Sequence, residues 1–209
     1  MFSSLLRGLA AFTLMFTVAC SSSSAAVKIP DPAQDIPLAK TSGSATVVVA
    51  GGCFWGIQAV FEHVKGVTSA TAGYAGGSAA TAHYEIVSSG ATGHAESVRI
   101  TYDPSKVSFG QLLKVFFSVA HNPTELNRQG PDTGTQYRSV IFYSNDEQKR
   151  IAQAYIEQLD RAKIFSSRIV TQLQRCRRFI RRKTTTRITP SIIPTSLTSP
   201  SMICPRSST

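Results

Sequence analysis

The sequence predicts a compact single domain of the α/β (α+β) class, in which helices pack on an open mixed β-sheet. Short β-branched runs that end in glycines are typical of buried strands, and other segments carry apolar residues at helical spacing. These two kinds of segment intermix along the chain without strict alternation. With 209 residues and 42% apolar composition, the chain is long enough to form one domain with a substantial core.

Four strands and three helices are predicted in the body of the chain. Ser108 precedes one of the helices as its N-cap residue, and Asn145 begins another as its N-cap. A polar loop rich in Asn, Pro, Asp and Gly, residues 121–134, is long enough to indicate a functional loop rather than a simple connector. The predicted strands are 45–52, 66–77, 96–104 and 136–143, and the predicted helices are 54–64, 109–120 and 145–165.

The first part of the chain is predicted to be a targeting segment. Arg7 precedes an apolar run, 9–19, that is too short to span a bilayer, so residues 1–20 are predicted to be a signal peptide. Cys20 ends this run where a lipoprotein signal would place its acylated cysteine, and both lipidation and plain cleavage are compatible with the pattern. Residues 21–44 are predicted to be a flexible linker. We therefore expect an exported protein, either periplasmic or lipid-anchored in the cell envelope.

The net charge of +10 is concentrated at one end of the chain. Up to Gln172 there are 14 Lys and Arg residues against 12 Asp and Glu, whereas from Leu173 onward there are 8 against none. The body of the sequence has no basic patch interleaved with aromatic residues, so its composition does not favour nucleic-acid binding. A metal site is not predicted either, because His94 and His121 have no second His or Cys at metal-ligand spacing.

Cys53 lies at a predicted strand-to-helix junction, in the string GGCFWG. A cysteine in an apolar segment is ordinarily buried and inert. At a helix N-terminus, however, unpaired N–H groups and the helix dipole favour the thiolate. Gly51 and Gly52 allow a tight backbone turn, and Phe54 and Trp55 supply an aromatic wall that suits a thioether or methyl group. This combination predicts that Cys53 is a nucleophile.

GGCFWG is similar to the signature of the A-type peptide methionine sulfoxide reductases. Four further segments resemble the same family in the expected order and spacing: GVTSATAGYAGG, HYEIVSSGATGHAESVRITYDP, FFSVAHNPTELNRQGPDTGTQYRS and IFYSNDEQKRIAQAYIEQLD. The resemblance implies a reductase domain over residues 45–172 with a ferredoxin-like core. It also implies a monomeric enzyme that reduces methionine S-sulfoxide, free or in damaged proteins, without a cofactor.

The resemblance further implies which residues form the site. The expected catalytic residues are Cys53, Tyr84, Glu96, Asp132 and Tyr137, and the expected substrate-binding residues are Phe54 and Trp55. Sulfoxide oxygen is a poor leaving group until it accepts a proton, so the nucleophile needs an acid across the S–O bond. Glu96 would supply that proton if apolar surroundings keep its carboxyl partly protonated.

The other polar residues would act on the sulfoxide oxygen. Tyr84 and Tyr137 would hydrogen-bond the polarised oxygen, and Asp132 would orient a water molecule or a tyrosine hydroxyl. Attack by Cys53 would release the thioether and leave a sulfenic acid on the cysteine. Regeneration would then require an external thiol reductant, such as thioredoxin or its periplasmic counterpart.

Two other classes of protein are compatible with parts of the sequence. A Cys-dependent acyl transferase or hydrolase would need a His base paired with Cys53, but none of the four histidines lies in a known partner motif. The third hypothesis is a non-catalytic product, either a damaged pseudoenzyme or an envelope protein whose basic tail binds anionic surfaces.

The resemblance ends where a basic tail, residues 173–209, begins. The tail has no acidic residue and repeats Thr, Ser and Pro, as disordered segments and basic interaction tails do. Family members instead continue into a segment like Tyr-Pro-Ala-Glu-Asp-Tyr-His-Gln-Asp-Tyr. Codons compatible with residues 179–189 spell that segment when they are read in a shifted frame. The tail is therefore predicted to be disordered, or the product of a frameshift between Gln172 and Phe179.

Overall fold

A six-stranded mixed sheet forms the centre of the computed structural model, which describes residues 29–182. The strands in chain order are β1 (Ala45–Ala50), β2 (Val67–Ala75), β3 (Ala95–Tyr102), β4 (Arg128–Gln129), β5 (Asp132–Thr133), β6 (Val140–Tyr143), β7 (Gln172–Arg175) and β8 (Phe179–Arg181). The large sheet has the order β7-β6-β1-β3-β2-β8, and β4 pairs with β5 in a separate ribbon. The β6–β7 pair is parallel, and the other pairs are antiparallel.

The helices complete a ferredoxin-like core. They are α1 (Phe54–Glu62), α2 (Tyr84–Val87), α3 (Phe109–Val115) and α4 (Asp146–Arg161), and α3 continues into a π-helical segment, Phe116–Ala120. The succession β1-α1-β2-β3-α3-β6, with strand order β6-β1-β3-β2, is the βαββαβ arrangement. The predicted fold class is thus confirmed. Ser108 forms a capping box with Gln111 at the start of α3, and the Asn145 side chain caps α4.

The two faces of the sheet are covered differently. Val47 and Val49 of β1 face a large core built with α1, α3 and α4. Val48, one position along, faces a smaller cluster on the opposite side, where Cys176 and Phe179 pack against it. Side chains alternate between the faces of a strand, which explains why neighbouring valines face different clusters. Cys53, in the turn at the end of β1, packs against the large core and so lies on the same side of the sheet as the helices.

Residues 29–44 pack against the helices, which differs from the flexible linker that the sequence predicts. The Asp35 carboxylate accepts hydrogen bonds from the Ser108 hydroxyl and from the Gly110 N–H, the latter at 2.7 Å. The Tyr155 hydroxyl of α4 donates to a backbone carbonyl of the segment at 2.7 Å. The polar, Pro-containing composition could not reveal these contacts, because the partners lie 73 and 125 positions away in the chain.

The first part of the predicted tail also differs from the expectation of disorder. β7 extends the sheet beside β6, and β8 pairs with β2 at the other edge. Composition hides these strands, since their backbone partners are the unpaired N–H and C=O groups that an edge strand offers to any neighbouring segment. Within residues 29–182, no helix has the length and apolarity needed to cross a membrane. The predicted signal peptide with Cys20, and the tail from 183 onward, lie outside the described residues.

Candidate active site

Cys53 lies between β1 and α1, as the N-cap residue of the helix. Gly52 has a φ of +98°, a left-handed conformation that favours glycine, and a Cβ there would lie 2.7 Å from the Gln129 side chain. A Cβ at Gly51 would lie 2.7 Å from the His121 ring. Both glycines are therefore required by close packing, and the turn that they form holds the half-buried Cys53 at the N-terminus of α1.

Glu96 of β3 reaches the same helix terminus. Glu96 is 1% exposed, and its Oε2 accepts a hydrogen bond from the Phe54 N–H at 3.2 Å. Phe54 directly follows Cys53 in the chain. The structure therefore brings together two of the residues that the sequence predicts to be catalytic, although 42 positions separate Glu96 from Phe54.

The predicted substrate-binding residues form an aromatic cluster with Tyr84. The rings of Phe54 and Trp55 meet edge to face at 5.3 Å between centroids. Tyr84 is the first residue of α2, and the Arg182 guanidinium carbon lies among all three rings, 5.5 Å from the Phe54 centroid, 4.9 Å from Trp55 and 5.3 Å from Tyr84. The cluster of Phe54, Trp55 and Tyr84 is called the aromatic pocket below.

Tyr137 and Asp132 come from the polar loop region that follows the π-helix. The Tyr137 carbonyl oxygen accepts a hydrogen bond from the Gly52 N–H at 3.0 Å, so this residue borders the Cys53 turn directly. Asp132 of β5 pairs with Gln129 of β4, and the Gln129 side chain packs on Gly52. Tyr137 therefore contacts the Cys53 turn directly, whereas Asp132 is connected to it through Gln129.

Tyr74 lies beside the predicted site residues, although the sequence alone did not indicate it. It is the register partner of Glu96 on the neighbouring strand, and its ring centroid lies 5.8 Å from that of Phe54. The buried hydroxyl makes no hydrogen bond of good geometry. Burial raises the pKa of Tyr74, the Glu96 charge raises it further, and the Arg182 charge opposes this shift. If the GYAGG and GHAE segments are paired as antiparallel strands, Tyr74 lies opposite Glu96, so this pairing is the sequence feature that could indicate Tyr74.

Arg138 connects two loops of the site. Its buried guanidinium donates to the carbonyl oxygens of His94 at 3.0 Å, Gly93 at 2.9 Å and Thr135 at 2.8 Å. The first two precede β3, which carries Glu96, and the third lies in the turn that ends at Tyr137. Arg138 therefore fixes these segments relative to each other.

The His121 ring packs against Gly51 in the Cys53 turn, and both of its nitrogens have hydrogen-bond partners. Its Nδ1 lies 3.0 Å from the Phe116 carbonyl oxygen, its Nε2 lies 2.7 Å from Ser139 Oγ, and its ring stacks on Phe116 at 4.0 Å. Burial lowers the pKa of His121 to about 4. The ring is neutral at pH 7, with Nδ1 donating to the carbonyl and Nε2 accepting from the serine. This arrangement does not make His121 a base for Cys53, as a hydrolase would require.

Two further features of the described chain were compared with this site, a possible metal cluster and the pocket beside α4. Among residues 29–182, no group of three His, Cys, Asp or Glu side chains is placed to hold a metal ion. A pocket of about 590 Å³ lies near the C-terminal end of α4, but its lining, from Glu157 to Arg168, contains none of the predicted site residues.

Comparison with known proteins assigns the family. The family described as "Peptide methionine sulfoxide reductase" matches residues 45–185 of the chain. The chain belongs to this family. The match begins at the predicted start of the reductase domain and extends past its predicted end at residue 172, into β7 and β8.

Individual relatives agree with this assignment. Peptide methionine sulfoxide reductase MsrA 2 of Mesorhizobium japonicum is 66% identical over 132 residues, which cover 63% of this chain and 68% of the relative. MsrA 2 of Synechocystis is 55% identical over 147 residues, which cover 69% of each chain. The solved structure of methionine sulfoxide reductase A of Corynebacterium diphtheriae is 31% identical with a TM-score of 0.57, and the match covers 69% of this chain and 72% of that one.

The reductase is therefore of the A type, as the sequence predicts. It is an oxidoreductase, a peptide-methionine (S)-S-oxide reductase, and it reduces methionine sulfoxide. The hypothesis of a catalytically dead or purely structural envelope protein is not favoured by these similarities.

Proposed function

We propose that Cys53 is the nucleophile of this reductase and that Glu96 is its catalytic acid. The single observation that carries the proposal is their shared position at the N-terminus of α1, where Glu96 Oε2 binds the N–H of the residue that follows Cys53 at 3.2 Å. The helix terminus favours a thiolate at Cys53. The same hydrogen bond holds the carboxyl within reach of a sulfoxide bound at the cysteine.

The reaction balances with these two groups. Sγ of Cys53 attacks the sulfoxide sulfur while the oxygen receives a proton from Glu96. The attack forms a bond between Sγ and the substrate sulfur. The protonated oxygen then leaves the substrate sulfur and bonds to Sγ, and the bond between the two sulfurs breaks. Methionine leaves as a thioether, reduced by two electrons, and the cysteine becomes a sulfenic acid.

The remaining predicted residues bind and orient the sulfoxide. Phe54 and Trp55 of the aromatic pocket take the substrate methyl group, because their faces are apolar and polarisable. Tyr84 and Tyr137 donate hydrogen bonds to the sulfoxide oxygen as negative charge develops on it. Asp132 orients a water molecule or a tyrosine hydroxyl from its position beside Gln129. The substrate is methionine S-sulfoxide, free or in oxidised proteins.

An external thiol reductant of the thioredoxin kind regenerates Cys53. Two thiols convert the sulfenic acid back to the thiol and leave as a disulfide, with release of water. The position of Cys176 supports an external donor. Cys176 packs with Val48 and Phe142 on one face of the sheet, whereas Cys53 packs against the core on the opposite face.

We also propose that the enzyme is exported and acts as a monomer in the periplasm or as a lipid-anchored protein. Support comes from the charge and apolar pattern of residues 1–20 and from Cys20 at its end. Cell fractionation and labelling with a fatty-acid probe, on the wild type and on Cys20→Ala, would test this. Protein that stays in the cytoplasm would contradict export, and label that persists in Cys20→Ala would contradict acylation at Cys20.

The frameshift in the tail is a further part of the proposal. Its support is the shifted codon reading of residues 179–189. Sequencing the gene across the codons for Val170 to Phe179, together with the intact mass of the purified protein, tests it. An in-frame gene that reproduces the basic tail would contradict a frameshift.

Turnover with a small thiol tests the proposed function as a whole. The purified protein is assayed with dithiothreitol and with each sulfur epimer of a methyl aryl sulfoxide, beside Cys53→Ser as the matched variant. We expect turnover of the S epimer by the wild type and none by Cys53→Ser. Equal turnover by both proteins would overturn the assignment of Cys53.

A further inference from the structure

The aromatic pocket already contains a side chain of this protein. The Arg182 guanidinium carbon lies 4.9 to 5.5 Å from the centroids of the Phe54, Trp55 and Tyr84 rings. Its Nε is buried without a hydrogen bond of good geometry. The guanidinium therefore lies among the rings that are expected to receive the substrate methyl group.

The backbone around Arg182 fixes this position. The Arg182 N–H donates to the Ala72 carbonyl oxygen at 3.1 Å, directly beyond the last β2–β8 pair. β8 can approach β2 this closely because residue 73 is glycine, where a Cβ would lie 2.3 Å from the Ile180 carbonyl oxygen. Substitution of Gly73 would displace the strand. Arg182 is thus held in place by the edge of the sheet.

Strand alternation decides which arginine enters the site. Ile180 pairs with Tyr74, whose side chain lies on the face of the sheet that carries Glu96, and Arg182 is two positions further along. Arg181 lies between them in sequence and is exposed. The two adjacent arginines therefore differ in position but not in charge.

We propose that Arg182 competes with the sulfoxide for the aromatic pocket and thereby sets the substrate affinity of the enzyme. This inference rests on the roles proposed above for Phe54 and Trp55, and it concerns the chain that carries Arg182, whether or not a frameshift produced its tail. A guanidinium over an aromatic face is attracted by the ring quadrupole, most strongly where the contact is desolvated. In this proposal the substrate methyl group takes the place among the three rings that the guanidinium fills, so substrate binds only after Arg182 moves away.

The structure provides space for that movement. A cavity of about 320 Å³ borders Arg182, Tyr84, His83 and Ala82, and its lining includes neither Phe54 nor Trp55. The long arginine side chain can turn into this cavity while its backbone stays paired with Ala72. Only molecules in which the guanidinium has left the aromatic pocket bind substrate. The apparent Kd then equals the intrinsic Kd divided by the fraction of such molecules.

Trp55 allows the competition to be measured without turnover, because it is the single tryptophan of the chain. In a Cys53→Ser background, methionine sulfoxide is titrated against tryptophan fluorescence for the parent, Arg182→Ala and Arg181→Ala. We expect Kd to fall about tenfold in Arg182→Ala, since a desolvated cation–π contact is of that order, and to stay unchanged in Arg181→Ala. Arg182→Lys, which keeps the charge but loses the planar group, should give an intermediate Kd.

Kinetics of the same substitutions in the Cys53 enzyme complete the test. Arg182→Ala should lower KM about tenfold and leave kcat unchanged, with Arg181→Ala equal to the wild type. Unchanged or weaker binding in both Arg182 variants would overturn the proposal, as would a fall in kcat without a fall in KM. If Kd shifts as expected while the wild type shows no turnover, the proposed catalysis fails and the competition stands. If turnover is normal and Kd does not move, the competition alone fails.

Discussion

Glu96 and Phe54 are joined by a hydrogen bond from the Phe54 N–H to Glu96 Oε2, at 3.2 Å. The first N–H groups of a helix have no partner within the helix. Here a buried carboxyl from β3, the strand beside β1, accepts one of them. One contact therefore stabilises the start of α1 and places the carboxyl beside Cys53. A substitution can therefore separate the structural role of Glu96 from its catalytic role only if it keeps an oxygen that accepts the Phe54 N–H.

Glu96→Gln is that substitution. Its amide oxygen still accepts from Phe54, but the side chain donates no acidic proton, so kcat should fall by about 10²- to 10⁴-fold with little change in KM. Steady-state kinetics with dithiothreitol, together with thermal unfolding, checks this. Glu157→Gln, at an exposed position of α4, is the control and should behave as the wild type. A Glu96→Gln enzyme with near-normal kcat would show that another group supplies the proton.

Gly52→Ala should damage both stability and turnover. The φ of +98° penalises any side chain, and the new Cβ would lie 2.7 Å from Gln129. We expect a loss of about 2 kcal/mol or more in the free energy of unfolding, measured with urea, and a lower kcat because the Cys53 turn shifts. Gly130→Ala is the matched control, because it also has a positive φ, of +55°, but nothing lies within 4 Å. Equal losses in the two variants would mean that packing against Gln129 contributes nothing.

Much of the fold and of the site could be predicted because the signals are local. Helical spacing, the caps Ser108 and Asn145, and the glycine-flanked strands are encoded by neighbouring residues, and the resemblance supplied the predicted site residues. Tyr74 and Arg182 required the strand register, which pairs residues far apart in sequence. The packed segment 29–44 and the edge strands β7 and β8 were missed for the same reason, since composition records polarity but not long-range partners.

Tyr74→Phe tests the contribution of the buried hydroxyl beside Glu96. No hydrogen bond of good geometry is lost, and a buried polar group is removed, so the free energy of unfolding should stay within about 1 kcal/mol of the wild type or rise. Urea unfolding measures it. A loss of more than about 2 kcal/mol would indicate that the hydroxyl makes a strong hydrogen bond, such as one to Arg182.

His121 should make stability depend on pH in the acid range. Its pKa in the folded protein is about 4, lowered by burial from an ordinary value of 6.5. The unfolded chain therefore binds a proton at this residue as pH falls below 6.5, whereas the folded chain does not until about pH 4. Stability should decrease by up to about 3 kcal/mol across that window. Urea unfolding between pH 7 and pH 4 should show a smaller decrease for His121→Gln, and equal decreases would contradict this origin.

The central claim is that Cys53 takes the sulfoxide oxygen. The most direct measurement is a single turnover without reductant, in which methionine is quantified and the enzyme is trapped with dimedone and mapped by mass spectrometry. We predict close to one methionine per enzyme and a dimedone adduct on the peptide that contains Cys53, with neither in Cys53→Ser. Methionine formed by Cys53→Ser, or an adduct confined to another cysteine, would contradict the claim.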